Sequence, residues 1–318
     1  MRPSTKSTEF LGPGPCGGTV RGGAARTERL LLRCLDALGR AEKLDAVSFP
    51  LRRVVRGLPL GRSRDVLHGL PIGHPLHPAL VQIPIGAWLS AAVLDFVPGG
   101  RRGARVLVGV GVLGTAPAAL AGWVDWAEQH PEQRRTGLVH AAAVTTALAL
   151  YAGSWAHRGR GGRPALARAL GFAGLCAVGV GGLLGGHLAY RQAAGSDKAE
   201  PVAHLLEEGW HPVGAAEDFP IGVAVRRELG EVPLLVFRER EGRVHVLAER
   251  CSHFSGPLSE GRIIDGCVEC PWHGSVFRLA DGLNVRGPAT APQPAFHVRV
   301  DQEGIVQVRL PGAGRGGR

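Results

Sequence analysis

The sequence predicts two folds in series: a membrane α-helical bundle of four spans, then an all-β antiparallel sandwich domain. Three observations carry this. Between residues 66 and 190 lie four runs without Asp, Glu, Lys or Arg, each close to the roughly 20 residues that cross a bilayer. Charge is unevenly divided: residues 1–190 hold 22 Lys+Arg against 10 Asp+Glu, and residues 191–318 hold 15 against 17. Beyond residue 190, β-rich runs alternate with turns containing Gly and Asp. The chain of 318 residues has a net charge of +10, 6 Cys, and 48 Gly without a Gly-X-Y period. Those totals exclude a disulfide-stapled miniature domain, a collagen-like fibre and a wholly disordered chain. A basic excess that flanks apolar runs makes the lipid bilayer the partner, and not nucleic acid.

The elements follow in order. Residues 1–26, with many Gly and Pro and no apolar targeting core, are expected to be disordered and to carry no export signal. In the segment 27–65, Leu30, Leu31, Cys34, Leu35 and Leu38 recur at helical spacing. They predict an amphipathic helix lying on the membrane surface or on the rest of the protein. Arg52, Arg53, Arg56, Arg62 and Arg64 then form a basic approach suited to anionic lipid heads. Residues 66–195 form the four-helix transmembrane domain, with spans at 78–97, 106–124, 136–157 and 169–190. Pro84 and Pro117 fall inside spans, where membrane helices tolerate them. Gly181 with Gly185, and Gly182 with Gly186, are small pairs that allow close helix approach in lipid.

Four spans place both chain ends on one side, here called side X. His74, His77, His140 and His187 all lie toward that side. They suit haem ligation (at His77, His140 or His187), a quinone site, or simple capping of loop carbonyls. The side Y loops carry seven Arg, which by charge counting makes side Y cytoplasmic. Against that stand 13 Lys+Arg ahead of the first span, with no signal to export them.

Residues 202–311 read as the β domain and 312–318 as a disordered tail. Runs 232–238 and 243–247 predict a hairpin, as do 276–279 with 283–285, and 295–300 with 305–310. Two loops hold the chemistry: CSHFSGPLSEG and CPWHGSVF. Cys251-x-His253 and Cys270-x-x-His273 supply two thiolates and two imidazoles. Such a set could hold tetrahedral zinc, or a 2Fe–2S cluster with both thiolates on one iron and both imidazoles on the other. Cys267 imitates a Cys-x-x-Cys pair with Cys270 but reads as a strand residue. Cys16, Cys34 and Cys176 have no partner spacing, and His204, His211, His245 and His297 read as structural or solvent-facing.

The neighbours of the four donors decide between the metals. Gly256-Pro257-Leu258, Pro271-Trp272-His273-Gly274, Ser275, Phe277, Asp281-Gly282 and Gly287-Pro288-Ala289 resemble the cluster loops of Rieske proteins. The resemblance implies a Rieske-type sandwich and a 2Fe–2S cluster. It assigns Cys251 and Cys270 to the buried iron, and His253 and His273 to the outer one. The imidazoles are then expected near the surface, where a redox partner docks. Two departures point to the ferredoxin-type Rieske domain. The loop cysteines that form a disulfide in the cytochrome bc members are missing (Ser255 and Trp272 stand there), and Phe277 stands where high-potential members have Tyr. Upstream, GHPLHPALVQIPIGAWLSAAVLDF, AGWVDW, GLVHAAA and GGHLAYR resemble an uncharacterised four-helix bacterial membrane family that occurs fused to Rieske domains.

The resulting expectation is a membrane-anchored Rieske protein that transfers single electrons between redox donor and acceptor proteins or a quinone. Two alternatives stay open: a component of a Rieske oxygenase or quinol-oxidising enzyme, and a non-redox structural or sensor module. A terminal oxygenase needs a further iron domain, for which about 45 residues after His273 leave no room. The expected location is the plasma membrane, multi-pass, with the Rieske domain cytoplasmic. The missing disulfide supports that side.

Overall fold

The computed structural model describes residues 22–159 and 162–311. Of residues 1–26 and 312–318, expected to be disordered, 1–21 and 312–318 lie outside the described residues, whereas 22–26 are helical. Three helices come first: α1 (Gly22–Gly39), α2 (Asp45–Gly57) and α3 (Ser63–His68). Four helical stretches long and apolar enough to cross a membrane follow. The first joins α4 (Leu76–Leu80) to α5 (Gln82–Leu94). The others are α6 (Arg101–Trp126), α7 (Pro131–His157) and α8 (Pro164–Gly186), the last extended by a π turn at His187–Arg191. Pro131 and Pro164 sit in the first turn, where the missing N–H costs nothing. The backbone N–H of His130, ahead of α7, donates to Gln133 Oε1 at 3.0 Å. These helices outrun the uncharged runs: α6 includes Arg101, Arg102 and Arg105, and α7 includes Glu132, Arg134 and Arg135. Charge marks where lipid contact is expected to stop, whereas the backbone ladder continues to the cap.

Glycine sets how closely the bundle helices approach. A Cβ on Gly111 would lie 2.2 Å from Trp88 Nε1, and one on Gly174 would lie 2.8 Å from Tyr151. With that room, Trp88 and Tyr151 stack at 4.1 Å among buried Ala91, Ala104 and Val108. Of the glycine pairs expected in α8, Gly181 meets Val144 of α7 and Gly185 meets His140, while Gly182 and Gly186 face open space. One rail of glycine packs, not two. At the opposite end, Arg158 donates to both oxygens of Asp95 at 2.6 Å, tying the end of α7 to the end of α5. Both partners are buried, so removing either would strand a charge.

The N-terminal helices lie on the protein. Leu35 and Val55 are buried. Arg52 donates to the carbonyl of Ala127 at 2.8 Å, Arg56 pairs with Glu128, and Arg135 of α7 pairs with Asp45 and donates to the carbonyl of Gly39. Arg64 bonds the carbonyl of Val55. Three of the five arginines expected at lipid heads therefore bond within the protein. Leu30, Leu31, Phe49 and Val54 remain exposed on these helices.

After α9 (Val202–Leu205), ten strands among the described residues make three antiparallel sheets. The strands are β1 (His211–Ala215), β2 (Ala224–Leu229), β3 (Val232–Arg238), β4 (Val244–Ala248), β5 (Arg262–Ile264), β6 (Cys267–Glu269), β7 (Val276–Arg278), β8 (Asn284–Arg286), β9 (His297–Val300) and β10 (Ile305–Arg309). The sheets run β1-β10-β9, β2-β3-β4 and β5-β6-β7-β8. β3 is buried on both faces. Strand alternation sends Leu234 and Val236 into a core with Val246, Val306 and Val308, and Leu235 and Phe237 into a second core with Leu247, Leu258 and Phe277. Cys251 and Cys270 belong to the second core.

Candidate metal centre at the tip of the β domain

Three loops converge at this tip, between β4 and β5, β6 and β7, and β8 and β9. The first two close alike. In the first, the N–H of Ser255 donates to the carbonyl of Cys251 at 2.8 Å; in the second, the N–H of Gly274 donates to that of Cys270 at 3.0 Å. Gly256 lets the two loops meet, since a Cβ there would sit 2.8 Å from Cys270 Sγ. The third loop braces both. Gln293, fully buried, donates to the carbonyls of Ala248 and Arg250 at 2.7 Å and accepts the N–H of Ser252 at 3.0 Å. Ser275 Oγ accepts the N–H of Ala289 at 2.9 Å.

The structure brings the four expected donors together as two pairs. Cys251 and Cys270 are buried and share a side-chain hydrogen bond. The rings of His253 and His273 lie 5.0 Å apart and perpendicular. Cys270 is the readier thiolate: it accepts from Cys251 and from the amides of Trp272 and His273, which bring it down to about 7. Burial pushes His273 down to about 4 and holds His253 well below its usual value. Neutral imidazoles and an easily formed thiolate are the protonation states that metal binding requires. His253 Nδ1 is buried and has no hydrogen-bond partner. Such an orphaned nitrogen is costly unless a ligand takes it. Among the described residues no three His, Cys, Asp or Glu side chains form a group around one ion position. A thiol pair beside an imidazole pair fits a two-iron cluster better than one tetrahedral ion.

Both imidazoles, which the sequence reading expects near the surface, are half-buried. They face the helical domain. The His130 ring lies 4.5 Å from Phe254 and 6.2 Å from His273. Asp65 of α3 accepts the N–H of Gly287 at 3.0 Å, and the N–H of Lys198 donates to the carbonyl of Ser252 at 2.9 Å. Between the domains lies a cavity of about 530 Å3, with His253 and Phe254 on one wall and His77, Trp123, Asp125 and His140 on the other. His68 donates to Asp125 at 2.8 Å. Of the side X histidines, His77 and His140 come together, His74 bonds the carbonyl of Pro75, and His187 lies apart, 3.8 Å from Asp36. Cys267 is a strand residue opposite Arg278. Sequence reasoning missed Gln293, His130 and the His68–Asp125 pair. Only His130, directly before Pro131, carries a local signal, that of a helix cap.

A β domain whose tip pairs two thiols with two imidazoles has the donor set of an iron–sulfur protein. Residues 209–298 match the Rieske [2Fe-2S] domain family, and residues 73–198 match the family described as Predicted membrane protein (DUF2231). The chain belongs to the Rieske proteins, with a Rieske-type 2Fe–2S cluster. It is 35% identical over 101 residues to the anthranilate 1,2-dioxygenase ferredoxin subunit of Burkholderia cepacia, covering 32% of this chain and 92% of that protein. It is also 35% identical over 104 residues to ferredoxin CarAc of Metapseudomonas resinovorans, covering 32% and 95%. A chain in the solved complex of reduced oxygenase and oxidized ferredoxin in carbazole 1,9a-dioxygenase is 32% identical, with a TM-score of 0.30, over 32% of this chain and 94% of that one. Homology to ferredoxin subunits of oxygenase systems supports electron transfer by the β domain.

Proposed function

We propose that the chain is a membrane-embedded one-electron carrier in which Cys251 and Cys270 hold the inner iron, and His253 and His273 the outer iron, of the cluster. The observation that carries this is the buried, partnerless His253 Nδ1 on the tip that also holds the buried thiols of Cys251 and Cys270. When bound, the cluster takes up and releases one electron. The residues around it hold and shield. Gln293 and Ser275 fix the loops, while Leu235, Leu247, Leu258 and Phe277 exclude water from the thiolates. The helices span the plasma membrane, and both termini and the cluster lie on its cytoplasmic side. Support for that side comes from Ser255 and Trp272, which leave the loops without a disulfide, and from Cys34, a free exposed thiol on the same side. Because His130 and Phe254 cover the imidazole edge, exchange with a redox protein or quinone runs by way of the helical domain.

Electron paramagnetic resonance and iron analysis of detergent-purified full-length protein test the assignment. The expected result is two irons, two acid-labile sulfides and a Rieske signal on one-electron reduction. One zinc without sulfide refutes it. External protease acting on intact cells that carry a C-terminal tag tests the side: the tag should survive.

A further inference from the structure

The cavity beneath the cluster loops holds a second pair of histidines. His77 comes from α4 and His140 from α7, and their ring centres lie 6.1 Å apart. Each ring makes one hydrogen bond of 2.8 Å through Nδ1, His77 to the carbonyl of Ala118 in α6 and His140 to that of Gly181 in α8. A carbonyl only accepts. Each Nδ1 therefore carries a proton, and each ring in its neutral form keeps a free electron pair on Nε2. Two glycines make the space: a Cβ at Gly122 would fall 2.8 Å from His77 Nδ1, and one at Gly185 would fall 3.5 Å from His140. Four helices thus converge to orient two rings whose remaining nitrogens have no hydrogen-bond partner among the described residues.

We propose that His77 and His140 are the two axial ligands of a haem bound at the side X end of the bundle. Donation of Nδ1–H to a carbonyl is how metal-binding histidines are oriented and made more basic. One metal atom between two imidazoles puts ring centres ~6 Å apart, from bonds of ~2 Å and ~1 Å from nitrogen to ring centre on each side. No third His, Cys, Asp or Glu joins them into a group among the described residues. A bare ion would therefore be left short of ligands, and a macrocycle with four equatorial nitrogens completes the set. The cavity of about 530 Å3 is of cofactor size, and Pro75, Pro78, Ala141 and Val144 give it an apolar lining. Ties between helices would be satisfied by the two Nδ1 bonds alone and would require no cavity in front of the rings.

The test uses the full-length protein in detergent, titrated with hemin, with the cluster's paramagnetic signal read in the same sample. The expected result is one haem per chain with a six-coordinate, low-spin spectrum. His77→Ala and His140→Ala should each weaken binding at least ~10-fold and leave the cluster signal intact. If an alanine variant loses the cluster as well, His140→Met decides: it should retain haem with a changed spectrum. Wild-type protein that carries its cluster but gives no low-spin haem spectrum overturns the proposal. So do alanine variants that bind as the wild type does, or a His140→Met spectrum identical to wild type. Because cluster and haem are read separately, failure here leaves the Rieske assignment standing, and loss of the cluster leaves the haem titration readable.

Discussion

Two histidine pairs lie by one cavity, lined by His77, His140 and His253, and they are positioned in opposite ways. In the β domain, His253 and His273 stand on short loops held by backbone hydrogen bonds, and His253 Nδ1 is buried without a partner. In the helical domain, His77 and His140 stand on helices, and both Nδ1 atoms are already bonded to carbonyls. Leaving a buried polar atom unpaired costs about 1–3 kcal/mol. The β domain accepts that cost at the atom proposed here to bind iron. The bundle has no such orphan at its pair, and the nitrogen left over is Nε2. The satisfied nitrogen of an imidazole thus reports which nitrogen is on offer.

The largest break in this comparison comes from the thiols. Cys251→Ser or Cys270→Ser should take the iron of the cluster from two per chain to nearly none and abolish its resonance signal, because the two loops lose their common anchor. The helical content should be unchanged by circular dichroism, since the bundle core of Trp88, Val108 and Tyr151 shares no residue with the tip. Glycine sharpens the contrast. Gly256→Ala drives a Cβ to 2.8 Å from Cys270 Sγ and should lower cluster occupancy, at a stability cost of about 1–3 kcal/mol. Gly111→Ala meets Trp88 at 2.2 Å and should cost the bundle a similar ~1–3 kcal/mol while leaving the cluster signal alone. Thermal unfolding read by the cluster's absorbance and by far-ultraviolet dichroism separates the two.

Much of this was legible in the sequence because the signals are local. Four uncharged runs mark four long helices, and Cys-x-His with Cys-x-x-His among glycines and prolines marks the tip. The hairpin of β3 and β4 follows from two β-rich runs and a Gly-containing turn. What stayed hidden depends on distant partners. Gln293 reaches carbonyls 43 and 45 residues away, and nothing around it differs from an ordinary loop. The arginines at 52, 56 and 64 read as a lipid-facing patch, because sequence shows the charge but not the Glu128 and carbonyls that receive it. Covering of the imidazole edge by His130 depends on how the two domains meet, which no periodicity encodes.

A smaller effect probes the cluster's surroundings. Phe277 is fully buried in the same core as Cys251 and Cys270. Phe277→Tyr introduces a hydroxyl donor there, which should stabilise the reduced, more negative state. The midpoint potential should rise by tens of millivolts, from a wild-type value in the lower part of the roughly −150 to +300 mV Rieske range. A redox titration followed by circular dichroism in the visible reads it. A wild-type midpoint near the top of that range would show that this hydroxyl and the loop disulfide do not govern the potential here.

The smallest expected effect is acid sensitivity, and it again separates the two regions. Hydrogen bonds from Arg191 to Asp36 and from Arg135 to Asp45 hold both carboxyls below their usual range. A carboxylate whose folded value is depressed adds stability above its unfolded value of ~3.9, and that stability is lost as pH falls through the folded value. Docking of α1 and α2 should therefore be constant from neutral pH down to about 5 and loosen below about 4. Glu249, beneath the cluster loops, has the opposite sign. Burial raises it, so its contribution favours folding at low pH and weakens as pH rises through the unfolded value toward the folded one. Acid should consequently expose α1 and α2 to hydrogen exchange before it exposes β3 and β4. Asp36→Asn with Asp45→Asn should give the loosened N-terminal helices already at neutral pH and remove their acid response. If α1 and α2 exchange equally at pH 7 and pH 3.5 in the wild type, the two carboxylates do not hold them.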